Sequence, residues 1–260
     1  MAAWTIGIIG GSGLYAIDAM ENAQWIRVNT PWGDASDEVL CGEIAGARVR
    51  FLPRHGRGHR LPPADVNARA NIDALKRAGC TDIVAISAVG SLREDVEPGQ
   101  FVIVDQFIDR TRGRPASFFG PGMVAHVSIA DPVCPRLSDM AGTAIEAIGG
   151  TVSRGKTYLA MEGPQFSTRA ESQLYRAWGA DVIGMTGMPE ARLAREAELP
   201  YASIGMVTDY DSWRADAAPV EAGDVLTRVK GNADRARAAI AALFAALPQT
   251  REASPIDVAL

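Results

Sequence analysis

Cysteine and histidine are both scarce in this chain, at three residues each among 260. Cys41, Cys80 and Cys134 are odd in number and far apart, a pattern that suits neither a disulfide framework nor a CxxC metal site. The expectation is three reduced, mostly buried thiols. His55 and His59 have no nearby cysteine and no HExxH pattern, so no metal centre is expected. Long apolar runs are missing too, and none approaches the roughly 20 residues that span a bilayer. Positive charge is not in excess. The formal charge of −5 argues against a broad nucleic-acid footprint, so any anion must be held by a local cluster. The opening Met-Ala-Ala-Trp leads into a strand-like segment without the basic region and cleavage site of a secretory signal, so the expected location is the cytoplasm. Internal repeats and low-complexity linkers are absent.

What is present is an ordinary globular composition, 47% hydrophobic and 22% charged, on a chain long enough to bury a large core. One domain over 1–247 is expected, followed by a tail over 248–260 that either stays disordered or docks on a neighbour. Apolar stretches at 4–9, 49–52, 82–87, 101–105, 181–185 and 201–207 read as strands. Helical patterns at 64–78, 136–148, 168–178, 189–197 and 222–247 alternate with them. That alternation predicts an α/β fold around a central parallel or mixed sheet flanked by helices.

Three segments carry chemistry. Gly7-Ile-Ile-Gly10-Gly11-Ser12-Gly13 follows a strand and places backbone N–H groups where they can surround an anion. Its glycine spacing meets neither the dinucleotide fingerprint nor the Walker A pattern, so a dehydrogenase is not supported. Arg54-His55-Gly56-Arg57-Gly58-His59-Arg60 gathers three arginines and two histidines in one glycine-interrupted loop, an unusual concentration in an acidic protein. Guanidinium groups pair with phosphate oxygens, so the loop reads as an anion clamp. Ser87 and Ala88 end a buried strand where open α/β sheets place their ligands. Farther on, Ser167 or Thr168 with Glu171 in the first turn, and Thr186 with Glu190, read as helix-capping groups.

These motifs, together with Met161-Glu162-Gly163-Pro164-Gln165-Phe166-Ser167 and Thr208-Asp209-Tyr210-Asp211, occur in the order found in methylthioadenosine phosphorylases, and the resemblance spans nearly the whole chain. It implies the nucleoside phosphorylase fold, a single domain around a distorted mixed sheet, and a homotrimer with active sites near subunit interfaces. It implies no cofactor, with a small-molecule nucleoside and inorganic phosphate as co-substrates and no nucleic-acid or membrane partner. Carried over by position, the phosphate site is Ser12, Arg54, His55, Ser87 and Thr186. Purine and ribose contacts fall on Ala88, Phe166, Ile183, Met185, Asp209 and Asp211. The pocket for the 5′ group takes Val220 and Val225 from one subunit and His126 from its neighbour. Catalysis is assigned to Asp209, with Arg54 and His55.

The implied activity is phosphorolysis of S-methyl-5′-thioadenosine to adenine and S-methyl-5-thioribose 1-phosphate, a purine and methionine salvage step. Asp209 is expected to offer a proton to the departing base, and Asp211 to accept from the 6-amino group of adenine. Gly184 departs from the family, which usually has Asn before the Met. Gly184-Met185-Thr186-Gly187-Met188 looks like methylthioinosine phosphorylases, so a methylthioinosine or 6-oxopurine nucleoside phosphorylase is the alternative. A non-catalytic nucleoside-binding protein is the alternative of another class. It would have no reason to keep Arg54, His55 and the hydroxyl cluster.

Overall fold

The computed structural model describes residues 3–15, 17–214 and 222–260, with 222–230 as backbone only. Among the described residues nine strands form one mixed sheet. Its first half is built from β1 (Thr5–Gly10), β2 (Glu21–Ile26), β3 (Val39–Ile44), β4 (Ala47–Pro53) and β5 (Asp82–Ser91). Its second half is β6 (Phe101–Asp109), β7 (Val152–Ala160), β8 (Val182–Gly184) and β9 (Tyr201–Asp209). The order is β2-β3-β4-β1-β5-β8-β7-β6-β9, and β5 also pairs with β9, so the second half closes on itself. β1 runs parallel to β4 and to β5, which brings three carboxyl ends to one edge. The expected distorted mixed sheet is what the chain forms.

Helices α1 (Ala68–Arg77), α2 (Pro135–Ala147), α3 (Arg169–Ala177), α4 (Gly187–Glu196) and α5 (Ala222–Ala245) complete the fold. The two-residue period of β1 sends Ile8 into one core and Ile9 into another. Ile8 sits with Leu137 and Ile145 of α2 and Leu243 of α5. Ile9 sits with Ile72 and Leu75 of α1 and Leu193 of α4.

Three strands lie where none is expected. β2, Glu-Asn-Ala-Gln-Trp-Ile, is an exposed edge strand without apolar alternation, held by antiparallel pairing to β3. β7 begins with half-exposed polar residues and buries only Tyr158, Leu159 and Ala160. β3 carries Cys41, Gly42 and Glu43 between its apolar ends, which breaks the pattern. α1 starts at Ala68 rather than 64, because a 3-10 turn at Pro63–Asp65 precedes it and the Asn67 side chain caps it by accepting from Ala70 N. Cys80 and Cys134 are buried and Cys41 is half-buried, all three as free thiols.

The tail docks on its own body rather than staying loose. Arg251 ion-pairs with Asp82 at the start of β5 (2.5 Å) and with Asp257 (2.6 Å), and Arg136 meets the same Asp82 (2.5 Å). Trp4 donates from its indole to the Pro248 carbonyl (2.8 Å), and Ile256 enters the core. Leu260 stays exposed. Among the described residues no helix is long and apolar enough to cross a membrane.

Candidate active site

A cavity of about 460 Å³ lies near the Arg57 loop, but the site motifs converge on another, of about 610 Å³, at the carboxyl ends of β1, β4 and β5. Ser12 reaches it from the turn after β1, Arg54 and His55 from the end of β4, and Ser87 and Ala88 from β5. Phe166 enters from the segment before α3, Ile183 from β8, and Met185 and Thr186 from the turn that follows. Asp209 ends β9, and Asp211 lies two residues beyond. His126 is exposed on the long segment after β6 and does not line the cavity of its own chain. Val220 lies outside the described residues, and so does the side chain of Val225.

The anion-binding end is organised around Arg54. Its guanidinium is buried and grips Glu190 of α4 at two points, Nε to Oε2 at 2.8 Å and Nη2 to Oε1 at 2.9 Å. Nη1 donates to the Ile86 carbonyl at 2.9 Å. These bonds engage three of the five N–H groups of a guanidinium. Tyr201 donates to Glu190 Oε1 at 2.7 Å and fixes the carboxylate from the other side. Burial works against the Arg54 charge, but Glu190 more than offsets it and keeps the group firmly protonated. The preceding turn approaches closely. A Cβ on Gly11 would stand 2.5 Å from the Ile86 carbonyl oxygen and 3.0 Å from Arg54 Nη1, so only glycine fits.

His55 beside it is nearly buried and its Nδ1 lies 2.9 Å from the Leu61 carbonyl, so that nitrogen carries the proton. Burial, joined by the Arg54 charge, pushes its pKa down to about 4, and the ring is neutral at neutral pH. His59 stacks on it with ring centroids 4.4 Å apart. Ser87 Oγ and Thr186 Oγ1 stand 3.3 Å from each other at the same end. The basic loop is not one clamp, however. Arg57 turns to Asp37 (2.7 Å), Glu38 (2.9 Å) and the face of Trp25, and Arg60 lines the cavity while bonding the Ser36 carbonyl.

At the other end stand the two aspartates. Asp209 Oδ1 accepts from the backbone N–H of Asp211 (2.8 Å), and Thr208 Oγ1 lies 2.7 Å from Oδ2. A register shift between β5 and β9 at Val89/Gly90 sets Asp209 opposite Gly90, where a Cβ would come within 2.9 Å of Asp209 Oδ1. Asp211 adopts a left-handed backbone (φ 49°) and is buried, and its Oδ2 has no hydrogen-bond partner among the described residues. Phe166 is 39% exposed in the single chain, so it is not core. Of the two candidate caps, Thr168 rather than Ser167 forms the capping box with Glu171 at the start of α3. Thr186 makes no capping bond, and Glu190 serves Arg54 instead. Among the described residues no group of three or more His, Cys, Asp or Glu side chains could hold a metal ion.

The model of the phosphorylase superfamily matches residues 5–247. A relative from Cereibacter sphaeroides, S-methyl-5′-thioadenosine phosphorylase, is 58% identical over 96% of this chain and 86% of its own. The chain belongs to the methylthioadenosine phosphorylase family. A methylthioadenosine phosphorylase from an antarctic soil metagenomic library superposes with a TM-score of 0.93, at 47% identity over 99% of this chain and 91% of that one. The Schistosoma mansoni enzyme, solved in complex with adenine, superposes at 0.89, with 37% identity over 93% of this chain and 91% of that one.

Within this methylthioadenosine phosphorylase fold, the supporting residues are the ones that sequence reading passes over. Arg114 donates from Nη1 to the Met185 carbonyl (2.6 Å) and from Nη2 to the Glu162 carbonyl (2.7 Å), and its Nε meets Glu162 Oε1 (3.1 Å). One guanidinium thereby ties the segment before Phe166 to the turn that carries Met185 and Thr186. Glu190, Tyr201 and Tyr158 act in the same indirect way. Of these, Glu190 alone had a local signal, its place in the first turn of a predicted helix, and that signal pointed to capping.

Proposed function

We propose that the protein is a pentosyltransferase that cleaves S-methyl-5′-thioadenosine with inorganic phosphate, releasing adenine and S-methyl-5-thioribose 1-phosphate. The observation that carries this reading is one cavity with two different ends, buried Arg54 with paired hydroxyls at one and the two aspartates at the other. Phosphate is held by Arg54, His55, Ser12, Ser87 and Thr186, and the base lies against Phe166. The C1′–N9 bond breaks ahead of attack, so positive charge grows on the sugar and negative charge on the purine. A phosphate oxygen then forms the new bond to C1′, and the bound anion serves as both counter-ion and nucleophile. The electron pair of the broken bond stays on the purine, where a proton from Asp209 reaches N7. The hydrogen phosphate loses one proton overall, and the base gains one.

Asp211 favours adenine. Among the described residues its Oδ2 is a buried acceptor without a donor, which is costly to leave unmatched, and the 6-amino group supplies that donor whereas a 6-oxo group repels it. Gly184 is the feature that favours the methylthioinosine alternative, but the fold gives it a separate cause in the Tyr158 ring beside it. The 5′ methylthio group is placed against Val220 and Val225, with His126 reaching in from a neighbouring subunit of a homotrimer. Exposed Met123 and Val124 on the segment that carries His126 support such a contact. No cofactor takes part, the partners are small molecules rather than nucleic acid or membrane, and the cytoplasm is the proposed location.

The direct test is release of adenine from S-methyl-5′-thioadenosine with and without phosphate. Phosphate-dependent release is expected. Binding of the nucleoside with no base released in phosphate would support the non-catalytic reading instead. In the active protein, Asp209→Asn should lower kcat by roughly 100- to 10,000-fold while inorganic phosphate still binds. Turnover near that of the parent would remove Asp209 from the mechanism.

A further inference from the structure

Tyr158 lies at the end of β7, fully buried, and does not line the cavity. Its ring packs against Phe107 of β6 at 5.4 Å between centroids. Its hydroxyl points to the turn that joins β8 to α4. There it accepts from the backbone N–H of Thr186 at 3.3 Å and of Gly187 at 3.4 Å. Buried backbone N–H groups need an acceptor, and at this kinked helix start Thr186 supplies no capping bond of its own. The phenol holds the turn from beneath. Above it the Thr186 hydroxyl stands 3.3 Å from Ser87 Oγ, at the end of the cavity where Arg54 lies.

The same ring dictates what can stand at position 184. A Cβ there would come within 2.6 Å of Tyr158 Cζ and closer still to the hydroxyl oxygen. At Gly187 a Cβ would lie 3.2 Å from the ring and 2.7 Å from Phe107. The phenol therefore occupies the space a side chain would need at 184, while at 187 that space is taken first by Phe107.

We infer that Tyr158 is a positioning residue of the phosphate site, which fixes the Thr186 hydroxyl through the turn at 184–187 and in doing so makes glycine obligatory at 184. This rests on the phosphorolytic reading of the cavity. Gly184 is then a consequence of packing beneath the site, not a device for choosing between purines.

Tyr158→Phe keeps the ring and removes only the oxygen, so it isolates the hydrogen bonds. Steady-state rates at varied phosphate and at varied S-methyl-5′-thioadenosine, with the phosphate-induced rise in Tm, are measured on parent and variant. The KM for phosphate should rise about tenfold, while the KM for the nucleoside moves less than about twofold and the phosphate-induced rise in Tm shrinks. A phosphate KM within about twofold of the parent, even with a lowered Tm, would reduce Tyr158 to a purely structural role and overturn the inference. A second pair of proteins tests the packing. Gly184→Ala should lower Tm strongly in the parent, yet cause little further loss beside Tyr158→Leu, which ends short of the clashing atoms. An unaltered Tm for Gly184→Ala alone would overturn it equally. If the parent itself releases no base, the phosphorolytic reading fails, and the phosphate-induced Tm of parent and Tyr158→Phe still decides the role of Tyr158.

Discussion

Two buried charge clusters sit at opposite ends of the same strands, and one of them faces the 610 Å³ cavity. At the carboxyl end, Arg54 is held by Glu190, Tyr201 and the Ile86 carbonyl, and it lines the 610 Å³ site. At the amino end, Asp82 is held by Arg136 and Arg251, and Arg251 by Asp257. Both are ion pairs withdrawn from water, which by itself says little about stability or purpose. What separates them is what each faces. The Arg54 cluster lines the cavity beside the Ser87 and Thr186 hydroxyls and neutral His55, whereas the Asp82 cluster clamps residues 248–260 to β5.

The largest effect that would sharpen this contrast comes from Glu190→Gln. It leaves the Arg54 charge buried without its partner, and a stability loss of about 3 to 5 kcal/mol is expected in urea unfolding. Added phosphate should then become the counter-ion, so its stabilising effect on Tm should exceed that in the parent. Equal phosphate effects in both proteins would mean that the anion does not meet Arg54. Arg251→Ala should cost less, about 2 kcal/mol, because Asp82 keeps Arg136. Both KM values should stay near the parent's, since this cluster does not touch the site, and a raised phosphate KM would break the comparison.

The smallest effect concerns His55. Its pKa falls from the ordinary 6.5 to about 4, mainly through burial and secondarily through Arg54. Because the folded state resists the proton, the stability tied to neutral His55 is complete above pH 6.5 and drains away as the pH falls toward 4. His55→Gln should flatten the part of the Tm profile between those limits in phosphate-free buffer. A parallel decline in parent and variant would place the acid sensitivity elsewhere.

The sequence made the cavity legible because its direct contacts stand at strand ends, where short motifs mark them. Ser12, Arg54, Ser87, Thr186 and Asp209 each lie within or just after a strand. Their supports were not legible. Glu190 stands 136 residues from Arg54, and Arg114 stands 71 from Met185, so no local spacing records either contact. Reading Thr186 and Glu190 as a capping pair failed for the same reason, since the long-range claim of Arg54 on Glu190 outweighed the local one. β2 and β7 escaped because pairing partners, rather than apolar alternation, hold them in the sheet. The tail gave no apolar period either, and its docking depends on Arg251 finding Asp82 169 residues away.

The functional end of the comparison turns on which base the aspartates receive. Initial rates with methylthioadenosine, methylthioinosine, adenosine and inosine, at equal concentration and excess phosphate, measure that choice directly. Methylthioadenosine should be cleaved fastest, in keeping with the buried Asp211 oxygen that has no partner among the described residues. A clear preference for inosine would contradict both the assignment of Asp211 to the 6-amino group and the apolar 5′ pocket.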